Sequence, residues 1–481
     1  MAARPLHSLP ALVLAWTLAL AITPALATAC NGATTNTFTG APGGDWQTAA
    51  NWTANNGVTH AVPISTDHVC VPGSTAVVVN GASGAAGIEV EGGLTVNSSL
   101  SIGSDPSSRI AGPVQVPGGG SLALAGNTLY NSGSLTVGGT LVVTGDFQIA
   151  NGLDVAGTGT IDNSGSLRVT TSTGANHTIF SPALNNNGLV ANDGPVDVVG
   201  GGSGNGSWKL GSGSGADEPV VTISTTQFSM NGDFTDVESG GLGHLVLDAK
   251  LTMVNTLAQD THIHVHELDA TAGATLDFSP IPTGTSSVSV ADLDINNPGN
   301  LFEVNAPLNV AQSMTMRDGA LLINDVANVN TFHWGGGDIS SSNGATIVVQ
   351  GLDMSTDNIA GDSGDRTEAG SVTVAMAGTA YGTPTYSGPG SLTLNGTSVF
   401  KVDAGAQFSI GDDSGILAGS AFSRVINNGI ISKVGGTPTT GSHIQPPLTM
   451  SNGEIWVNSG LALILDAQPD TFDSGTNTLR G

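Results

Sequence analysis

The chain has 481 residues, 38 acidic against 11 basic, and a net charge of −27. Charged residues make up only 10% and aromatics 4%, with 69 glycines, whereas an average globular domain is roughly one quarter charged. No Lys or Arg stands between Arg4 and Arg109, so clustered cations for nucleic acid or an anionic membrane are lacking, and the low total charge also argues against acidic disorder.

Residues 1–29 read as a signal peptide. Arg4 supplies the positive end, and LPALVLAWTLALAI (9–22) supplies the apolar core. That core is shorter than the roughly 20 residues of a membrane span. ALATA (25–29) offers A-x-A cleavage sites ending at Ala27 or Ala29. An uncleaved anchor and a lipoprotein beginning at Cys30 are the alternatives, although Ala27 stands where lipoprotein signals prefer Leu. No membrane span is expected after signal removal, and the mature chain is expected to be secreted or at the cell surface.

Residues 30–85 read as an N-terminal cap region. Cys30 and Cys70 are the two cysteines, and an oxidising compartment favours a disulfide between them. Closing a loop of about 40 residues stabilises by about 4 kcal/mol in the chain-entropy picture. Trp46 and Trp52, in GDWQTAANW (44–52), suit a plug over the open end of a repeated core. The segment HAVPISTDHVCVPG (60–73) follows. The pattern D-W…A-N-W…V-P…D-x-V-x-V-P resembles the start of exported bacterial β-solenoid surface proteins with adhesin-like or autotransporter-passenger-like repeats. The resemblance covers mainly residues 40–200 and implies an exported surface protein.

Residues 86–199 read as β-helix repeats. In LTVGGTLVVTGDFQIANGLDVAG (135–157), Leu135, Leu141, Phe147 and Leu153 fall six residues apart. Val137, Val143, Ile149 and Val155 each follow two residues later. Positions i and i+2 of a strand share a face, and Gly, Asn and Asp between them suit tight turns. YNSGSLTV (130–137) returns as IDNSGSLRV (161–169), and NNNGLV (185–190) and INNGII (426–431) carry a related turn. A six-residue period is too short for antiparallel hairpins. It fits an all-β parallel β-helix, expected to be right-handed, whose coils wind three short faces in about 18–22 residues.

GGGSGNGSWKLGSGSGADEP (200–219) reads as a Gly/Ser-rich loop or linker. The β-helix is expected to continue over 220–481, with loop insertions near 354–390. A second ladder, Phe302, Leu308 and Met314 with Val304, Val310 and Met316, supports this. FHWGGGDISSSNGATIVVQG (332–351) again resembles exported β-solenoid repeats.

Candidate chemistry is sparse. THIHVHELD (261–269) places His262, His264 and His266 on one face of a regular strand and Ile263 and Val265 on the other. Two neighbouring imidazoles could share a zinc ion, with a third ligand from an adjacent coil. His244 and Glu267 are nearby in sequence, but on a regular strand Glu267 falls on the Ile/Val face. Solvent-facing histidines are the plainer reading, so no metal or cofactor is expected. GDSGD (361–365) has the look of a serine-protease nucleophile segment without its partners. Asp412 and Asp413 are adjacent, so a strand would send them to opposite faces, whereas glycosidases need paired carboxylates. Arg109, Arg168 and Lys209 stand alone in the sequence. The expected function is a non-catalytic exported surface or matrix protein with an adhesive, scaffold or stalk role. Glycans or surface proteins are the expected partners. A polysaccharide lyase or glycoside hydrolase on a β-helix is the alternative.

The cysteine reading has a direct check. Mass analysis of the exported protein without reductant should find Cys30 joined to Cys70, two hydrogens lighter than the reduced form. A lipid on Cys30, or two free thiols in oxidatively secreted material, would refute it.

Overall fold

The strands are short because the turn formers are close together. Leu135–Val137, Thr140–Val143 and Asp146–Ala150 form three successive strands separated by two-residue turns. Their inward residues Leu135, Val137, Leu141, Val143, Phe147 and Ile149 are all buried. The chain then returns beside its start: Leu135 lies in parallel register with Val155, Thr140 with Thr160 and Phe147 with Leu167. Each of these steps is 20 residues, so one coil is three strands. The fourth member of the expected ladder does not keep step. Val155 closes the coil onto Leu135, while Leu153 lies partly buried in the preceding turn.

The computed structural model describes residues 36–54, 61–104, 108–150, 152–170, 177–211, 219–225, 228–236, 243–248, 250–253, 262–270, 275–278, 286–355, 364–378, 386–388, 390–466, 471–472 and 477–481. It is a parallel β-solenoid. One column of strands runs without a break from His68–Val71 to Thr471–Phe472. Among the described residues the helical turn is Ala49–Asn51 alone. The interior is one continuous apolar cluster from Phe38 to Ile455. The second ladder holds in full: Phe302, Val304, Leu308, Val310, Met314 and Met316 are buried.

The first coil is sealed by aromatics. Asn36–Phe38 pairs in parallel with Val69 and Cys70, and on its other side pairs antiparallel with Trp52–Ala54. The reversed strand covers an edge that would otherwise template further pairing. Trp46 and Trp52 are fully buried, with ring centroids 4.7 Å apart edge to face, and Phe38 adds a second edge-to-face contact at 5.1 Å. The Trp52 indole N–H donates to the Trp46 carbonyl at 2.7 Å. Cys70 is buried in His68–Val71; Cys30 and the signal segment lie outside the described residues.

The Gly-rich stretch expected as a loop carries strands. Gly202–Gly204 pairs with Phe228–Met230, and Ser207–Leu210 pairs with Leu189–Asn192. Trp208 and Leu210 supply the inward side chains, both fully buried. Within 354–390, Arg366–Gly370 and Thr373–Met376 continue the stack.

The repeated N-x-G turn has a specific job. Asn163, Asn186 and Asn427 are fully buried. Each accepts the amide of the glycine two residues on, at 3.2 Å. Each amide nitrogen donates to a carbonyl of the next coil: Asn163 to Leu189, Asn186 to Ser207 and Asn427 to Glu454, at 2.9–3.2 Å. Asn163 also donates to Asn186 at 2.8 Å. Glycine is required in the turn because a Cβ on Gly188 would come within 2.1 Å of the Gly165 carbonyl.

These bonds make a mutational contrast. Asn186→Ala should lower stability by about 2–3 kcal/mol, since it strands buried donors and acceptors. Asn185→Ala, on the outer face, should stay within about 0.5 kcal/mol. Thermal midpoints and hydrogen exchange of the Gly188 amide test this; equal effects of the two substitutions would show that the inward bonds do not tie the coils.

Candidate functional site

Two cations that stand alone in the sequence share a groove. Gln148, Arg168, Ala191 and Lys209 occupy the same register position on four successive coils and face outward. Ala191 is short, so a groove of about 460 Å³ opens between Arg168 and Lys209. Asp146, Ser166, Leu189, Ala191 and Gly211 also line it. Two rungs separate the cations, a backbone spacing of about 9.6 Å. Arg109 stands three rungs before Arg168 on the same column, through Leu129 and Gln148, but outside the groove, with its guanidinium 3.6 and 3.8 Å from Glu89 and Glu91.

The histidine segment turns a corner. In the strand His262–Ala270, Ile263 and Val265 are buried, and the next buried positions are Leu268 and Ala270. Two residues, rather than one, separate Val265 from Leu268. The alternation therefore resets, and Glu267 faces outward, contrary to the regular-strand expectation. It sits in register with His244. His262 and His264 lie before the corner on a different face. Their register neighbours are hydroxyls: Ser287 for His262, and Thr235 and Ser289 for His264. His262 Nδ1 is 3.2 Å from the Ser287 hydroxyl. The side chain of His266 lies outside the described residues. On the preceding coil, the Asp233 carboxylate accepts the His262 amide at 2.8 Å, while the described register neighbours of His264 are hydroxyls.

Beyond the corner, outward acids accumulate. Glu267 and Asp269 stand in register with Asp292 and Asp294 of the next coil. The Ser313 amide and hydroxyl bond Asp292, and Arg317 pairs with Asp294 at 2.8 Å. Burial pushes the Asp294 carboxyl upward, Arg317 opposes this, and Asp269 adds to it. Sequence reasoning missed this column because the corner was invisible in a strictly alternating reading.

Asp412 and Asp413 are committed to turns. Asp412 accepts the amides of Gly388 and Ser414. Asp413 accepts the Thr437 hydroxyl at 2.6 Å, the Thr437 amide and the Thr440 hydroxyl. Those bonds, led by the Thr437 hydroxyl and helped by Lys433, hold its carboxyl down at about 2. Lys433 is buried; it donates to the Asp412 carbonyl and to the Ser442 hydroxyl and lies 3.5 Å from Asp413. Ser363 of GDSGD lies outside the described residues.

The strand Arg366–Gly370 carries two ionisable groups into the interior. Arg366 donates to the carbonyls of Trp334, Gly364 and Met354 and lies over the Tyr386 ring at 5.5 Å. Glu368 stacks between Ile339 and Leu394 and is fully buried. Neither carboxyl oxygen has a hydrogen-bond partner among the described residues. Burial raises its pKa well above the ordinary 4.5.

Compared with known proteins, the chain matches no family model, no curated protein and no solved structure.

Glu368 gives the fold a pH signature. Its folded pKa exceeds its unfolded value, so its contribution is fully present below about pH 4.5 and is lost as pH rises toward the folded pKa. Each unit of that window costs about 1.4 kcal/mol. Glu368→Gln, which mimics the neutral acid, should raise the thermal midpoint at pH 7.5 by roughly 2 °C or more and leave it unchanged near pH 4. Identical midpoints at both pH values would mean that Glu368 is not held neutral.

Proposed function

We propose that the protein is an exported, non-catalytic surface or matrix scaffold that holds acidic glycans along one face of its solenoid. The groove between Arg168 and Lys209 carries this reading. In a chain of net charge −27, Arg168 and Lys209 bring two cations to one groove, which also holds Asp146. Their spacing along the coil axis suits an extended polyanion better than a single small ion. Exposed ion pairs are individually weak, about 0–1 kcal/mol, so holding a polymer would depend on repeated contacts. The signal-like residues 1–29 and the resemblance to adhesin-like and autotransporter-passenger repeats support export and display. Among the described residues no helix is long and apolar enough to cross a membrane.

The reading is tested by titrating the mature chain with polygalacturonate, alginate and a neutral glucan at two salt concentrations. Acidic polymers should bind weakly and in a salt-sensitive way, without new reducing ends or unsaturated products. The double substitution Arg168→Ala, Lys209→Ala should abolish binding, and Arg109→Ala should not. Cleavage of any of these polymers would instead establish the lyase or hydrolase reading. Binding that survives the double substitution would remove the groove from the account.

A further inference from the structure

His244 lies at the start of His244–Leu247, and Glu267 and Asp269 lie in the second half of His262–Ala270. These segments are neighbouring rungs, with His244 beside Glu267 and Val246 beside Asp269. The corner after Val265 turns both acids outward, toward the imidazole. One nitrogen of His244 and one oxygen from each acid lie within 4.8 Å of one another. The His244 Nε2 to Asp269 Oδ2 distance is 3.1 Å.

We propose that His244, Glu267 and Asp269 bind one divalent first-row transition ion, for which zinc is the probe. Ligands about 2.0–2.1 Å from a tetrahedral ion lie about 3.4 Å from each other. The His244–Asp269 pair, at 3.1 Å, is near that spacing, and a Glu267 oxygen lies within 4.8 Å of both. The charge balances, because two carboxylates and a neutral imidazole match a dication. All three groups are partly buried, which limits competition from solvent.

A second observation is independent of the convergence. Asp269 Oδ1 is buried and has no hydrogen-bond partner among the described residues. A buried carboxylate oxygen without a donor is costly, and a cation would satisfy it. The neighbouring acids cannot substitute: Ser313 occupies Asp292, and Arg317 occupies Asp294. The donor set selects the class of ion. Calcium seeks six to eight oxygens, whereas imidazole with carboxylates suits zinc and its first-row neighbours. Three protein ligands leave a fourth position for water or for an oxygen of a bound partner. This site is separate from the Arg168–Lys209 groove, and neither depends on the other.

The experiment is calorimetric titration of zinc, and separately of calcium, into the untagged mature chain. Circular dichroism confirms the fold of each variant. One zinc ion should bind per chain and raise the thermal midpoint. His244→Ala and Asp269→Asn should each weaken binding at least about tenfold, the scale for disturbing a metal's ligand environment. His264→Ala should leave it unchanged. Asp269→Asn keeps the shape of the side chain, so folding and ligation are separable even if His244→Ala unfolds. No zinc binding by the wild type, calcium bound as tightly as zinc, or zinc binding lost in His264→Ala would each overturn the proposal.

Discussion

The structure depends on one constraint: each coil must close onto the last in parallel register. Leu135 pairs with Val155, and Phe147 pairs with Leu167. Backbone groups of the strands then pair with the coil above or below. The same register stacks side chains in columns. Inward columns are apolar and merge into one core from Phe38 to Ile455. Outward columns inherit whatever chemistry each coil places there. That is how Arg168 and Lys209, 41 positions apart in number, come to face one groove.

Corners decide which residues face out. A strand that turns a corner without a break leaves two residues between buried positions, as between Val265 and Leu268 and again between Val290 and Leu293. The pairing with the next coil shifts register at the corresponding place, between Val290 and Asp292. These skips align Glu267 with Asp292 and Asp269 with Asp294. The acidic column is therefore a product of bend geometry as much as of composition.

The interior is not wholly apolar, and its polar members follow different rules. Asn163, Asn186 and Asn427 are inward but fully bonded, so they lock the turn to the coil beside it. Arg366 is likewise satisfied by three carbonyls. Glu368 differs: it stacks between Ile339 and Leu394, and burial favours its neutral form. The Asn residues add register specificity, whereas Glu368 makes stability depend on pH.

By itself the sequence determined the fold class and much of the core. The six-residue spacing of Leu135, Leu141 and Phe147 identifies three short faces, because inward residues must alternate with turn formers in any coil of this size. The Trp pair of the first coil and the N-x-G turns were legible for the same local reason: both are contiguous signals. Coil closure was not legible. Whether Leu153 or Val155 returns to Leu135 depends on the length of the last turn, and only the pairing with the adjacent coil selects it. The Gly-rich 200–211 segment became strand for that reason too, since neighbouring coils impose extended backbone that its composition does not favour. The candidate sites were decided last. His244 meets Glu267 and Asp269, and Arg168 meets Lys209, through contacts across coils, and a local pattern carries no information about distant residues until the register joins them.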